Sequence, residues 1–171
     1  EAYNEFQKAF NMNRDIASSL GVSPDKIINK IDSFQDNESI QQKTIKKLNK
    51  QFVSLFSKTI ESFVSNNTNI FLQDCSNLNR DQIKDLIDDI KSIHSNSISV
   101  FYSSNKNKID CFVGVSKKCT HEYNAKKILE LLSKKYTLKG GGSDTFATLI
   151  IDVQDKSAFH KTLEQIFNIT K

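Results

Sequence analysis

The strongest constraint in this 171-residue chain is a long run of apolar residues spaced by three and four. Ile27, Ile31 and Phe34 open it. Beyond the polar patch Asp36-Asn37-Glu38 it resumes with Ile45, Leu48, Phe52, Leu55 and Phe56, and it continues through Ile60 and Phe63. That spacing lines one side of a helix, while the Gln and Lys residues between leave the other side to water. Long helices packed on another helix follow, as a helical hairpin or a partial coiled coil. The apolar register shifts across the polar patch, which therefore reads as a break between two helices or a flaw in one coiled coil. A looser stripe of Phe6, Phe10, Ile16 and Leu20 predicts a helix over 1–20. Gly21 ends it, and Ser23-Pro24 restarts the chain as cap and first turn.

After residue 64 the pattern changes. Ser65 to Asn69 reads as a polar turn and Ile70-Phe71-Leu72 as a short buried strand. Asn79 and Gln82 have capping-box spacing, with Leu78 able to staple to Ile83, ahead of a helix buried through Ile83, Leu86, Ile87 and Ile90. Ile98, Val100 and Tyr102 alternate with polar and aromatic neighbours. Ile109, Cys111, Val113 and Val115 alternate again beyond a turn at Asn105-Lys106-Asn107, so the pair reads as a hairpin. A helix through Ala125, Ile128, Leu129 and Leu132, a strand from Phe146 to Val153 and a helix from Ala158 to Phe167 complete the order. The expected fold is α/β: long N-terminal helices over 1–64, an arm or oligomerisation segment, then a compact α/β domain with a small mixed sheet over 65–171.

Composition narrows the function. No apolar run is long enough to cross a membrane, and no signal-peptide pattern opens the chain. Three cysteines, an odd number, suit a reducing, intracellular setting. The first residue is Glu1 rather than Met, so a fragment of a longer protein is expected. Residues 1–74 carry nine basic and nine acidic side chains, so the net charge of +4 lies in the remainder. Seven lysines fall between Lys117 and Lys139 against Glu122 and Glu130. That concentration attracts phosphate, or is a solvated helix face in a lysine-rich protein.

Catalytic constellations are weak. Cys119 and His121 lie close together but lack the further ligands that zinc requires. Two neighbours in a loop rarely act as a nucleophile and its base. Asp85, Asp88 and Asp89 sit among Lys84, Lys91 and Arg80 as a solvated helix face. No catalytic residue, metal site or cofactor is expected in these residues. Lys139-Gly140-Gly141-Gly142-Ser143-Asp144 is different. Read as a turn between a helix and a strand, it lets the backbone approach a ligand and exposes successive amides beside a lysine and a hydroxyl. It has neither P-loop nor dinucleotide spacing. A tight turn that simply ends the helix is the alternative.

These residues carry a resemblance. Val113-Gly114-Val115-Ser116-Lys117, the Lys139 and triple-glycine run, and Ala147 resemble the last domain of the alanyl-tRNA synthetase family. Leu20-Gly21-Val22-Ser23-Pro24-Asp25-Lys26 resembles the segment that begins the family's long helices. The triple-glycine motif is shared with DHH-associated domains, and Ser143 stands where the family often has Arg or Lys. The resemblance spans essentially the whole chain. It implies a non-catalytic tRNA-binding module that contacts the elbow of tRNA(Ala) and supports aminoacylation and editing by a parent alanine–tRNA ligase. ATP, Mg and Zn would belong to that parent. It also implies a homodimer through the helices or the globular domain, and a cytoplasmic or organellar location. Lys117, Lys118, Lys139, Gly140, Gly141, Gly142 and Ser143 are the expected RNA contacts. An oligomerisation module without RNA binding and the substrate-binding domain of a DHH-type phosphoesterase are the rival expectations.

Overall fold

The computed structural model describes residues 2–105, 108–121, 123–153 and 155–169. The chain divides into two compact units, 1–48 and 49–171. In the first, helix α1 (Ala2–Leu20) ends in a Schellman turn. Gly21 has φ 64°, its amide donates to the Ser18 carbonyl, and the Val22 amide donates to that of Ala17. A short 3-10 turn (Pro24–Lys26) leads into α2 (Ile27–Ser57), and the Ser23 side chain makes no capping bond. Met12, Ile16, Leu20 and Ile31 line an open groove at the corner between the two helices.

Helix α2 runs unbroken through Asp36-Asn37-Glu38, so the expected break is absent. The register does not shift either. Ile27, Ile31, Phe34, Glu38, Gln41, Ile45, Leu48, Phe52 and Leu55 keep alternating steps of four and three, with Glu38 and Gln41 in two stripe positions. The helix ends at Ser57, short of the expected Ile60 and Phe63. Its last turn tightens through bonds from the Lys58 and Thr59 amides to the Leu55 and Phe56 carbonyls. The Ser57 hydroxyl also lies 2.5 Å from Asp89 Oδ2. Phe56 and Ile60 are thereby turned onto the α/β core.

The second unit is built on a six-stranded mixed sheet in the order β1-β2-β3-β4-β6-β5. The strands are β1 (Phe63–Ser65), β2 (Thr68–Asp74), β3 (Ser97–Asn105), β4 (Lys108–Val115), β5 (Leu138–Gly142) and β6 (Phe146–Asp152). Among the described residues only β2 and β3 pair in parallel, joined through α3 (Arg80–Ile93). Its capping box forms as expected: Asn79 Oδ1 accepts from the Asp81 and Gln82 amides, and Gln82 Oε1 accepts from the Asn79 amide. The expected polar turn at 65–69 is narrower. Asn66 and Asn67, at φ 46° and 58°, make a two-residue hairpin between β1 and β2. The expected turn at 105–107 includes Lys106 and Asn107, which lie outside the described residues.

Each face of the sheet has its own core. Helices α4 (Ala125–Ser133) and α5 (Lys156–Ile166) bury Ile128, Leu132, Phe159 and Leu163 against Val100, Cys111, Val113 and Leu149. On the other face α3 buries Leu86, Ile87 and Ile90 against Phe71, Phe101 and Phe112, and Val53 from the end of α2 joins them. Burial of each such side chain contributes about 1.5–3 kcal/mol. Cys111 is fully buried, as expected of a small apolar residue, and burial pushes its thiol up to about 12.

Candidate nucleic-acid interface

The triple glycine is not in a turn. Gly140, Gly141 and Gly142 belong to edge strand β5, paired with Leu149, Thr148 and Ala147 of β6, and the turn that follows is Ser143–Thr145. The reason is steric. A Cβ on Gly140 would fall 2.1 Å from the Thr148 carbonyl oxygen, and one on Gly142 2.1 Å from that of Phe146. Gly140 also has φ 149°, a region that favours glycine. These two glycines let β5 lie tightly on β6. A Cβ on Gly141 would meet nothing within 4 Å, so the run offers open approach at Gly141.

One end of the sheet gathers the other candidates. The starts of β2, β3 and β6 meet there with the ends of β4 and β5. Ser116 closes this end: its amide donates to the Ser97 carbonyl, and its hydroxyl accepts from the Ser97 amide at 2.8 Å. A 3-10 turn (Lys117–Cys119) then projects Lys117 and Lys118 into solvent while burying Cys119. The Cys119 thiol donates to Asn96 Oδ1 at 3.1 Å, whereas His121 is exposed. The pair therefore presents no shared reacting or ligating point. Among the described residues, no group of three or more His, Cys, Asp and Glu could hold a metal ion.

Two cavities share Ser95 and Lys118. One, of about 350 Å³, is lined by Lys91, Ser95, Val115, Ser116, Lys117, Lys118 and Thr145. The other, of about 460 Å³, is lined by Asn67, Asn69, Ile93, His94, Ser95, Asn96 and Lys118. Asn96 Nδ2 donates to the Asn67 carbonyl at 2.8 Å, fixing the loop before β3 against the β1–β2 hairpin. Lys91 is half-buried, and its ammonium donates to the Thr145 carbonyl at 3.0 Å. It also lies 5.9 Å from the Phe146 ring centroid. Burial lowers its pKa, opposed by the charge of Asp88. Asp144, the acid in the β5–β6 turn, is paired with Lys126 at 3.1 Å.

The structure thus brings Lys117 and Lys118 to the same end of the sheet as Gly142 and Ser143, and adds Lys91, Asn67, Asn69 and Asn96. The Ser143 amide donates to the Phe146 carbonyl at 2.8 Å, shaping the turn. Lys139 stands apart, three residues up the edge strand from Gly142, a rise of about 10 Å. It is exposed and shares its sheet face with Thr148 and Ile150. Spacing along the chain could not find Lys91 or Asn96, because only the parallel β2–α3–β3 connection carries them here.

A DHHA1 domain model matches residues 67–168, from β2 to α5. The chain belongs to the DHHA1 domain family. It is homologous to the C-terminal region of alanine–tRNA ligases. It is 27% identical over 161 residues to the alanine–tRNA ligase of Wigglesworthia glossinidia brevipalpis, covering 91% of this chain and 18% of that one. It is 31% identical over 134 residues to that of Francisella tularensis subsp. novicida, covering 77% and 16%. The chain therefore spans less than a fifth of these curated relatives. The C-Ala domain of Aquifex aeolicus alanyl-tRNA synthetase shares the fold of this DHHA1 chain at TM-score 0.55 and 20% identity, over 63% of this chain and 98% of that one. The DHH domain of a member of a ribosomal-protein family shares it at TM-score 0.53 and 14% identity, over 78% and 33%. Among the described residues of this DHHA1 chain, no helix is long and apolar enough to cross a membrane.

Proposed function

We propose that residues 65–171 form the tRNA-binding module of a longer, ATP-dependent alanine–tRNA ligase and contact the elbow of tRNA(Ala). In this reading the fragment has no reaction of its own. It helps present one tRNA to the aminoacylation and editing centres elsewhere in a cytoplasmic or organellar parent, where ATP, Mg and Zn would act. Residues 1–64 serve as the arm through which two copies associate.

The observation that carries the reading is the basic end of the sheet. Lys91, Lys117 and Lys118 line two neighbouring cavities that share Ser95 and Lys118, and the nearby Asp144 is already ion-paired. Lysines placed this way hold phosphates, and amides and hydroxyls around them suit recognition of RNA shape rather than of many base edges. Gly141 and Lys139 extend the contact along β5, with Ser143 at its end. The alanine–tRNA ligases among the relatives favour this reading over a DHH-type phosphoesterase.

The test is binding of folded tRNA to the chain and to Lys117→Ala/Lys118→Ala at two salt concentrations. Weaker binding and a salt slope reduced by about one per lost phosphate contact are expected. Unchanged affinity together with an unchanged slope would overturn the assignment.

A further inference from the structure

We propose that the cavity between the β1–β2 hairpin and the loop after α3 holds one unstacked nucleobase of a bound RNA. This deepens the tRNA reading above and rests on its premise that the basic end of the sheet binds RNA. The cavity measures about 460 Å³, and its framework is already bonded. Asn96 Nδ2 donates to the Asn67 carbonyl at 2.8 Å, and Asn96 Oδ1 accepts from the Cys119 thiol at 3.1 Å. The Asn96 carbonyl accepts the Asn69 amide at 3.0 Å. Asn96 therefore builds the wall and has little left to offer a ligand. Asn69 Nδ2 leans on that same carbonyl at 3.4 Å, which leaves Asn69 Oδ1 as an unused acceptor. The Asn67 carboxamide, the Ser95 hydroxyl and the His94 ring nitrogens also have no hydrogen-bond partner among the described residues.

The lining selects the class of ligand. Among the described residues no carboxylate lines the cavity, so nothing there balances a metal ion or an amine. Its one cation, Lys118, stands on the rim shared with the lysine cavity. An isolated anion is better held next door, where Lys91 and Lys117 add their charge. What remains suits a neutral, planar group with donors and acceptors along one edge. Carboxamides supply both, and they pair with base edges in bidentate fashion. Ile93, 53% exposed on the same cavity, offers an apolar surface to the flat face of such a group. His94 stands beside it, its ring centroid 5.1 Å from that of Phe71.

Two further observations favour a base that has left its stack. Lys118 and Ser95 belong to both cavities, so a phosphate among the lysines and the base of an adjoining nucleotide fit side by side. A paired base has spent its edge on its complement and its faces on its neighbours, whereas a base splayed from a loop has both free. The hairpin that presents Asn67 is also set in advance. Asn66 and Asn67 hold φ 46° and 58°, and the bond from Asn96 Nδ2 ties the turn to the loop before β3. The reading groups therefore stand in place before RNA arrives, which lowers the cost of ordering them on binding.

The test measures binding of three RNAs to the full chain: a labelled single strand of about 12 nucleotides, the same strand annealed to its complement, and folded tRNA(Ala). Asn67→Gly removes a carboxamide and tolerates the positive φ, and Ile93→Ser removes the apolar surface at an exposed position. Each should weaken binding of the single strand about five-fold, the loss of one net hydrogen bond or of one stacking surface, with the salt slope unchanged. Duplex binding should not move. Lys117→Ala/Lys118→Ala should instead weaken single strand and duplex alike and reduce the slope. Single-strand binding that neither Asn67→Gly nor Ile93→Ser weakens, an equal loss on the duplex, or a chain that binds none of the three RNAs would overturn the proposal. A chain that binds the single strand through Asn67 and Ile93 but not folded tRNA would overturn the tRNA reading and leave the base cavity standing.

Discussion

The Lys91 ammonium donates to the Thr145 carbonyl at 3.0 Å, and that same carbonyl accepts the Val115 amide at 2.9 Å. The last turn of α3, the end of β4 and the β5–β6 turn are thus tied at one oxygen, on the wall of the basic cavity. An ammonium has three donors, so two remain beyond this bond, and in the proposed tRNA reading they would serve a phosphate. Lys91→Met preserves the apolar stem and removes the charge and the bond. Stability should fall by about 1 kcal/mol. Amides of Ser143 to Val115 around the turn should exchange faster, and tRNA affinity should drop with a shallower salt slope. Normal binding with faster exchange would restrict Lys91 to holding the turn.

The three glycines of β5 separate two roles that the sequence merges. Gly140→Ala and Gly142→Ala drive a methyl into the backbone of β6, and each should cost about 2 kcal/mol or more in urea unfolding. Gly141→Ala meets open space, so its stability should change by less than about 0.5 kcal/mol. Its tRNA affinity should nonetheless fall, since a methyl there obstructs the close approach. Unaltered binding by Gly141→Ala would leave the run with a purely architectural purpose.

What was legible followed local chemistry. The capping box at Asn79 and Gln82, the left-handed stop at Gly21 and the buried face of α3 depend on neighbours in sequence, and each forms as read. The edge strands were not legible. β1 has three residues, and β5 is mostly glycine, so neither carries an alternating apolar signal. The paired asparagines 66 and 67 did hold a hairpin signal that a generic polar turn obscured. Phe101 and Phe112 look like outward positions of one-sided strands. Both are buried because α3 covers the second face. At the candidate interface Lys117 and Lys118 were legible as charge, whereas Lys91, Asn67 and Asn96 depend on which strand ends meet.

Gly114 shows how closely that second face is packed. A Cβ there would fall 2.2 Å from Cγ2 of Ile87 and 3.2 Å from Cε of Lys91. Gly114→Ala should push α3 from β4 and destabilise the domain by about 1–3 kcal/mol. Because the displaced helix carries Lys91, the exchange protection of Val115 and the tRNA affinity should fall with it. Gly114→Ala combined with Ile87→Leu removes the β-branch methyl that clashes, so it should recover part of both losses. No recovery would mean that the strain arises elsewhere along α3.

At the opposite end of the sheet, Asp74 is ion-paired with Lys156, joining β2 to the first turn of α5. Burial alone would raise the Asp74 pKa, but hydrogen bonds from Lys156 and Ser76 and the Lys156 charge bring it below its ordinary value of 3.8. A depressed carboxylate stabilises the fold fully above its unfolded value, and the contribution disappears as pH falls through the folded one. Both partners are partly exposed, so the pair should contribute about 0.5–1 kcal/mol at neutral pH. Lys156→Met should lower stability by that amount at pH 7. The difference from the unsubstituted chain should shrink below about pH 4, where protonation of Asp74 dissolves the pair in both proteins. Urea unfolding at pH 7 and pH 3 reads the effect directly. A stability difference that stays constant between the two would assign the loss to packing of the lysine stem against α5 rather than to its charge.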